Sequence, residues 1–316
     1  MLKGAISIDV DTLSTHLHGF GLNQKDYDFA DFRLGIENFL RFLDELKLKA
    51  TFFIVGKDLL NQQNVETLLK ARNAGHEIAN HSMHHIQGFR FLNREQKITE
   101  IKNTQEIIEK NTLNKVVGFR APGWNIDNQT LEILSSMNYL YDSSIFPSSF
   151  NPLLKLMHFK ATSQQPRTAR TTLGQIKYCF NRTAPYQLAN DQSRGHYLVE
   201  LPITVTPVFR LPFFATFLLK TGLIPFKASL QMIKAWQRPI IYEFHLFDFV
   251  DFAKPELKHQ IPSKFAKGIY LPQSIYTPFK QKWQLFYQAV SLMKQNYQFE
   301  TLETLAKRFI HHDTQI

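Results

Sequence analysis

The chain has 316 residues, 44% hydrophobic and 20% charged, a balance that excludes disordered and collagen-like proteins. Its one cysteine, Cys179, excludes an intramolecular disulfide and an all-cysteine metal site. The net charge of +10 resides in residues 143–242, where twelve Lys/Arg stand against two acids, Asp191 and Glu200. That bias points to an anionic partner (phosphate, nucleic acid or a membrane surface) or to a basic solvated face.

The first apolar, β-branched run, Ala5 to Val10, predicts a buried strand. Ile36, Phe39, Leu40, Leu43 and Leu46 recur at helical spacing and predict a helix over Arg33 to Leu48, with Asp31 as its N-cap. The segment from Thr12 to Phe32 between them reads as a long, functional loop that holds His16, His18, Tyr27, Phe29 and Phe32. Ala50 to Val55 predicts a second strand, Asn64 to Ala74 a helix closed by Gly75, and His76 to His81 a third strand. Asn93 and Gln96 have capping-box spacing at the start of a helix running to Lys110. Val116 to Arg120 predicts a strand, Asp127 opens another helix, and Tyr139 to Tyr141 predicts a short strand.

Beyond residue 143 the rhythm weakens. Tyr197 to Leu201 and Pro239 to His245 predict further strands. Tyr276 to Asn296 predicts a long helix, followed by a strand at 298–300 and a terminal helix. Alternating strands and helices imply an α/β fold with a parallel sheet and right-handed crossovers. The length suits a single domain spanning 1–316, with a basic, partly irregular insertion at about 143–238 and a helical extension at about 276–316.

Ionisable residues recur at the C-terminal ends of these strands: Asp9 and Asp11, His81 with His84 and His85 after it, Arg120, Asp142 and His245. In parallel α/β folds that edge is where catalytic groups converge. Two imidazoles and one carboxylate leave an open position on a metal, a pattern that suits catalytic zinc and equally a non-haem iron centre. The iron enzymes with that triad usually have double all-β sheets, against the alternation here. The spacing alone does not choose between His84 and His85.

In this order, Ser7-Ile8-Asp9-Val10-Asp11, His81-Ser82-Met83-His84-His85, Arg120-Ala121-Pro122-Gly123 and Phe244-His245-Leu246 resemble the successive motifs of the polysaccharide deacetylases with a NodB homology domain, carbohydrate esterase family 4. The similarity is dense over about 5–145 and returns near 240–248. It implies an irregular (β/α)7-like barrel that binds a divalent metal and hydrolyses N-acyl groups on sugars. It implies Asp11, His81 and His85 as metal ligands, with zinc first and cobalt, nickel, manganese or iron as alternatives. It further implies Asp9 as general base, Arg120 as its ion-pair partner, the Gly123 amide in an oxyanion hole and His245 as general acid. Trp124 and Asp142 become candidate substrate-binding residues. Two departures stand out. Val10 separates the first two acids, and Ile145 and Phe146 occupy the place of the fourth motif's second Asp and the Trp after it. Asp248 or Glu243 is left to assist His245.

The opening Ile8-Asp9-Val10-Asp11-Thr12 is similar to enzymes that deformylate or deacetylate sugars on polyprenyl phosphate. An amino-sugar substrate, glycan or lipid-linked, is therefore expected, with an acetyl or formyl group removed. No apolar run reaches the roughly 18 residues of a membrane span, and the N-terminus shows no secretory pattern. A cytoplasmic protein is expected, with peripheral contact at an anionic inner leaflet through the basic block. Leu211 to Leu219 would either lie in that interface or form a buried helix. No nucleic-acid recognition motif is present, so no nucleic-acid partner is expected. An iron oxygenase and a non-catalytic sugar- or nucleic-acid-binding protein remain as alternatives.

Overall fold

The structure, a computed structural model, describes residues 1–18, 27–161, 174–188, 197–258, 260–261 and 271–311. In chain order these form β1 (Leu2–Val10), α1 (Leu13–His18), α2 (Ala30–Glu45), β2 (Thr51–Ile54), α3 (Gln62–Asn73), β3 (Glu77–Asn80), α4 (Arg94–Thr112), β4 (Gly118–Phe119), α5 (Asn128–Ser136) and β5 (Tyr141–Asp142). There follow α6 (Asn151–Ala161), β6 (Tyr186–Gln187), β7 (Val199–Glu200), α7 (Ala215–Thr221), α8 (Leu223–Ala235) and β8 (Ile240–His245). The last elements are α9 (Pro255–Lys258), α10 (Gln273–Tyr276), α11 (Phe279–Lys294), β9 (Tyr297–Glu300) and α12 (Leu302–His311).

The strands form one curled sheet in the order β6-β7-β5-β4-β3-β2-β1-β8, with β9 paired to the start of β1. All of the pairings are parallel except β6 with β7. Period-two alternation divides β1 between two cores. Ile6, Ile8 and Val10 join Phe39, Phe42 and Phe244 under the outer helices, whereas Ala5 packs inward with Phe53, Ala79, Tyr141 and Val199. A strand buried on both faces has no room for a polar stripe, which is why β1 reads as a continuous apolar run. Its inward polar residues, Ser7 and Asp9, are therefore exceptions that need partners.

The half-barrel closes through irregular chain. Ile203 N donates to Ile145 O (2.9 Å) and Thr204 N to Ile241 O (3.2 Å), which brings the segment after β7 against β8. α12 plugs the end opposite the strand C-termini, placing Leu302, Leu305 and Ala306 among the inward residues. Its first N–H groups, from Leu302 and Glu303, donate to Thr51 Oγ1 and Glu77 Oε2 at 2.9 Å each. Glu77 also accepts from the hydroxyls of Thr51 (2.6 Å) and Tyr141 (2.7 Å), and burial pushes its carboxyl up to about 7.

Element types match the expectations, while several details differ. α2 has Phe29 at its N-cap; Asp31 sits in the first turn, where its carboxylate accepts from Leu13 N (2.6 Å) and the Tyr27 hydroxyl. The long loop contains α1, with residues 19–26 outside the described part, and Leu13, Leu17 and Phe32 are core. The expected helix 276–296 is split, because Pro278 takes the N-cap of α11. Leu211 to Leu219 is not a surface segment: Phe213, Phe214, Ala215 and Leu218 are buried, and Phe213 stacks on Phe226 with ring centroids 4.8 Å apart. Phe213→Ala should therefore cost about 3–5 kcal/mol in urea unfolding. Phe209→Ala, at a side chain 63% exposed, should stay within about 0.5 kcal/mol. Equal effects would contradict the burial of Phe213.

Candidate metal centre and catalytic cleft

The turn after β3 carries the two imidazoles. Ser82 and His85 both have left-handed backbone (φ 63° and 51°), a conformation that costs non-glycine residues about 1 kcal/mol or more. Hydrogen bonds hold it: Ser82 N donates to Asn80 Oδ1 (2.8 Å), His85 N to Ser82 Oγ (3.1 Å), and Gly56 N to Ser82 O (3.0 Å). The result brings His81 and His85 to the same point. Asp11 Oδ1 lies 3.3 Å from Nε2 of each. His84 points elsewhere, with Nδ1 on Glu100 at 2.6 Å and the side chain 53% exposed.

These three residues fit a divalent cation. Asp11 Oδ1, His81 Nε2 and His85 Nε2 are buried and have no hydrogen-bond partner, so three ligand-type atoms converge unsatisfied. His81 Nδ1 sits 2.7 Å from the carbonyl of Arg120; donating there fixes the tautomer and leaves the Nε2 lone pair facing the cluster. Three ligands with an open side match a catalytic site more than a closed structural one.

Asp9 is adjacent, deeper on β1. Arg120, fully buried at the end of β4, donates through Nη1 to Asp9 Oδ1 (2.5 Å) and Ser7 Oγ (3.0 Å). Its Nε and Nη2 reach the carbonyl and hydroxyl of Ser143 at 2.9 Å, and its face lies 4.1 Å from the Phe53 ring centroid. Burial pushes the Asp9 carboxyl up, but Arg120 first, then His81 and His245, outweigh it and hold it below the usual carboxylate range. β8 lies in register with β1, pairing Ser7 with Glu243 and Asp9 with His245. His245 is thus brought beside Asp9 at the cleft, its side chain 28% exposed. Gly123, in left-handed conformation (φ 57°, ψ 27°) behind Pro122, turns the chain at the same edge.

Two expected substrate contacts are placed otherwise. Asp142 has no exposed surface, and its carboxylate accepts from Ser144 Oγ (2.6 Å) and Ser144 N (3.1 Å). Trp124 is nearly buried between Phe146 and Phe214, with its indole N–H on Glu243 (3.1 Å). Ser7 and Ser143, the partners of Arg120, were not singled out from the sequence. Ser7 stands two before Asp9 on the same strand face, a relation that period-two reasoning reaches; Ser143 lies beyond it.

Residues 28–141 match the family model for polysaccharide deacetylase. Among curated proteins, the chain is 26% identical over 153 residues to the peptidoglycan deacetylase of Helicobacter pylori, covering 47% of this chain and 51% of that one. It is 30% identical over 152 residues to a peptidoglycan deacetylase-like protein of Gibberella zeae, covering 46% and 44%. The chain thus spans about half the length of the curated relatives it matches. A Mycobacterium smegmatis structure classed with the polysaccharide deacetylases superimposes over 98% of this chain and 91% of that one, with a TM-score of 0.60 at 17% identity, which shows a shared fold.

Replacing His81 or His85 by Ala should leave the protein folded with substoichiometric zinc after loading and desalting, whereas His84→Ala should hold one equivalent. Asp11→Asn should bind zinc weakly, because a neutral amide is a poorer ligand, and Asp9→Asn should bind it like the unaltered chain. Elemental analysis with circular dichroism reads all five; full occupancy in both the His81 and His85 variants would remove the site.

Proposed function

Because the chain carries a polysaccharide deacetylase domain of the NodB type, we propose that it is a metal-dependent hydrolase that removes an N-acyl group, acetyl or formyl, from an amino sugar. The observation that carries this reading is the convergence of the unsatisfied Asp11, His81 and His85 atoms beside the Asp9–Arg120 ion pair, on one edge of the sheet.

A divalent cation, zinc in this proposal, supplies Lewis acidity toward the amide carbonyl and the attacking water. The protein's own groups do the rest. Asp9, kept ionised by Arg120, accepts the proton of the water as its oxygen bonds to the acyl carbon. Arg120 cannot lose its proton and has no freedom to move, so it holds the base in one orientation. The Gly123 amide donates to the developing oxyanion, an interaction of a kind typically worth about 3 kcal/mol. His245, open to the cleft, protonates the nitrogen as the C–N bond breaks.

The basic block supports an anionic group on the substrate, as in a sugar carried on polyprenyl phosphate. Among the described residues of 143–242 the one acid, Glu200, is fully buried, so the surface of that block bears positive charge. The same charge supports peripheral contact with an anionic leaflet, at about 1 kcal/mol per basic residue near the surface.

Zinc-loaded protein should release acetate or formate from an N-acylated amino sugar on polyprenyl phosphate faster than from N-acetylglucosamine oligomers, and Asp9→Asn should reduce either rate at least about 100-fold. Absence of acyl release from both substrates would overturn the proposal. Pelleting with anionic liposomes should be reversed completely by high salt, since Phe213, Phe214 and Leu218 lie inside the fold. Salt-resistant binding would contradict a purely electrostatic contact.

A further inference from the structure

The basic insertion meets the catalytic edge through one short strap of main chain. Gly174 N donates to Gly123 O (3.1 Å), and a Cβ on Gly174 would lie 2.6 Å from the Trp124 carbonyl oxygen. Its φ of +64° also disfavours other residues, so a glycine here lets the strap lie directly on the turn that carries Gly123. Gln175 Nε2 and the Tyr178 hydroxyl extend the contact by donating to Ile126 O at 2.8 and 3.2 Å. Residues 174–178 are thus fastened along 123–126.

Two cations from different segments are tied to that turn. Arg90 belongs to the single helical turn Phe89–Phe91 that precedes α4. Its main-chain N donates to Asn125 Oδ1 (3.3 Å), and its guanidinium lies over the Phe91 ring, 4.4 Å from the centroid. Lys155 is half-buried on α6, and its ammonium donates to Gly174 O. Among the described residues neither side chain forms an ion pair with a carboxylate. Three acids act on the neighbouring Tyr178, but none is free to serve. Asp127 pairs with Lys97 (2.7 Å), while Asp142 and Glu200 have no exposed surface and burial pushes both carboxyls up. The Lys155 ammonium is held below the usual lysine range by burial first and by the Arg90 charge second. Like charges gathered on separate segments repel, and an anion between them would turn that repulsion into attraction.

We propose that Arg90 and Lys155 form a subsite for a phosphate group carried on the substrate's amino sugar, flanking the Gly123 turn. The proposal rests on the hydrolase reading given above; it narrows the anionic recognition to one residue of the basic block and one outside it. The donors suit a tetrahedral oxyanion. The Arg90 guanidinium makes no hydrogen bond among the described residues, so its planar fork is available, and Lys155 spends one of its three N–H groups on Gly174. A fork and a point charge approaching from two segments reach more than one phosphate oxygen. Arg210, the other partly buried cation beside the strap, is already spent on it, donating through Nη1 to the carbonyls of Cys179 and Asn181. Because Lys155 reaches the Gly123 turn through Gly174, a phosphate held by the pair keeps its sugar at the edge where the amide is to be cleaved.

The test measures binding of N-acetylglucosamine 1-phosphate, N-acetylglucosamine and inorganic phosphate to the zinc-loaded full chain by titration calorimetry. The unaltered chain should bind the sugar phosphate at least about 10-fold more tightly than either fragment, with a preference that shrinks as salt rises. Combining Arg90→Gln with Lys155→Gln should bring the ratio of sugar-phosphate to sugar affinity below about two. Each single change should fall between, and Arg90→Lys should retain more of the ratio than Arg90→Gln. His81→Ala, which loses the metal, should keep the preference. A ratio near one in the unaltered chain, or one unchanged in the double variant, overturns the proposal. A preference lost in His81→Ala and kept in the double variant also overturns it, by assigning the phosphate to the metal. Inorganic phosphate bound as tightly as the sugar phosphate does the same, since the pair would then be a general anion site. So does pelleting with phosphatidylglycerol vesicles that depends on the pair while sugar-phosphate binding does not. Should the double variant fail to fold, Arg90→Gln alone decides, because Arg90 lies outside the strap. If the zinc-loaded chain releases no acyl group from any N-acylated amino sugar, the hydrolase reading fails, while the affinity ratio still decides the subsite.

Discussion

A guanidinium with no exposed surface must find all of its acceptors inside the protein, and the way Arg120 does so organises the cleft. Its side chain ties Ser7 and Asp9 on β1 to Ser143 beyond β5, and its ring-like face rests on Phe53 of β2. Its own carbonyl meets His81 Nδ1. One residue therefore sets the charge of Asp9 through its side chain and the orientation of the His81 ring through its main chain. Replacing it with lysine would leave a positive charge without the planar fork that reaches several acceptors at once.

The grouping of the candidate site residues was largely legible because they lie on strand ends. Asp9, His81, Arg120 and His245 each follow an apolar run, and a parallel sheet brings the C-terminal ends of such runs together whatever the connecting chain does. The capping residues Asn93 and Asp127 were equally readable, since a side chain that caps a helix acts within three residues of its own position.

What escaped the sequence depends on contacts between distant segments. β6, Tyr186–Gln187, has two residues, too few for a periodic signal. The apolar stretch from Leu211 to Leu219 is equally suited to a lipid surface and to a core; its burial is decided by Phe226 and Tyr242, which no local pattern reveals. Trp124 looked like a sugar platform beside Gly123, yet its indole nitrogen is turned inward by a carboxylate more than a hundred residues away. Glu243 and Asp248 were both legible as neighbours of His245: Glu243 Oε1 lies 3.9 Å from its Nε2, and Asp248 accepts from its main-chain N.

The position of β1 has a consequence for biosynthesis. β1 is synthesised before β2, β8 and β9, the strands that all eventually flank it. The cluster of Asp11, His81 and His85 needs β1 to β3, all within the first 85 residues, whereas His245 reaches Asp9 after more than 230 residues have intervened. During translation these three side chains can assemble early, while one backbone edge of β1 waits, unpaired, for β8 to emerge. An edge of that kind is a template for wrong strand pairing. Of the features described, this long-range pairing is where a nascent chain has most need of a chaperone.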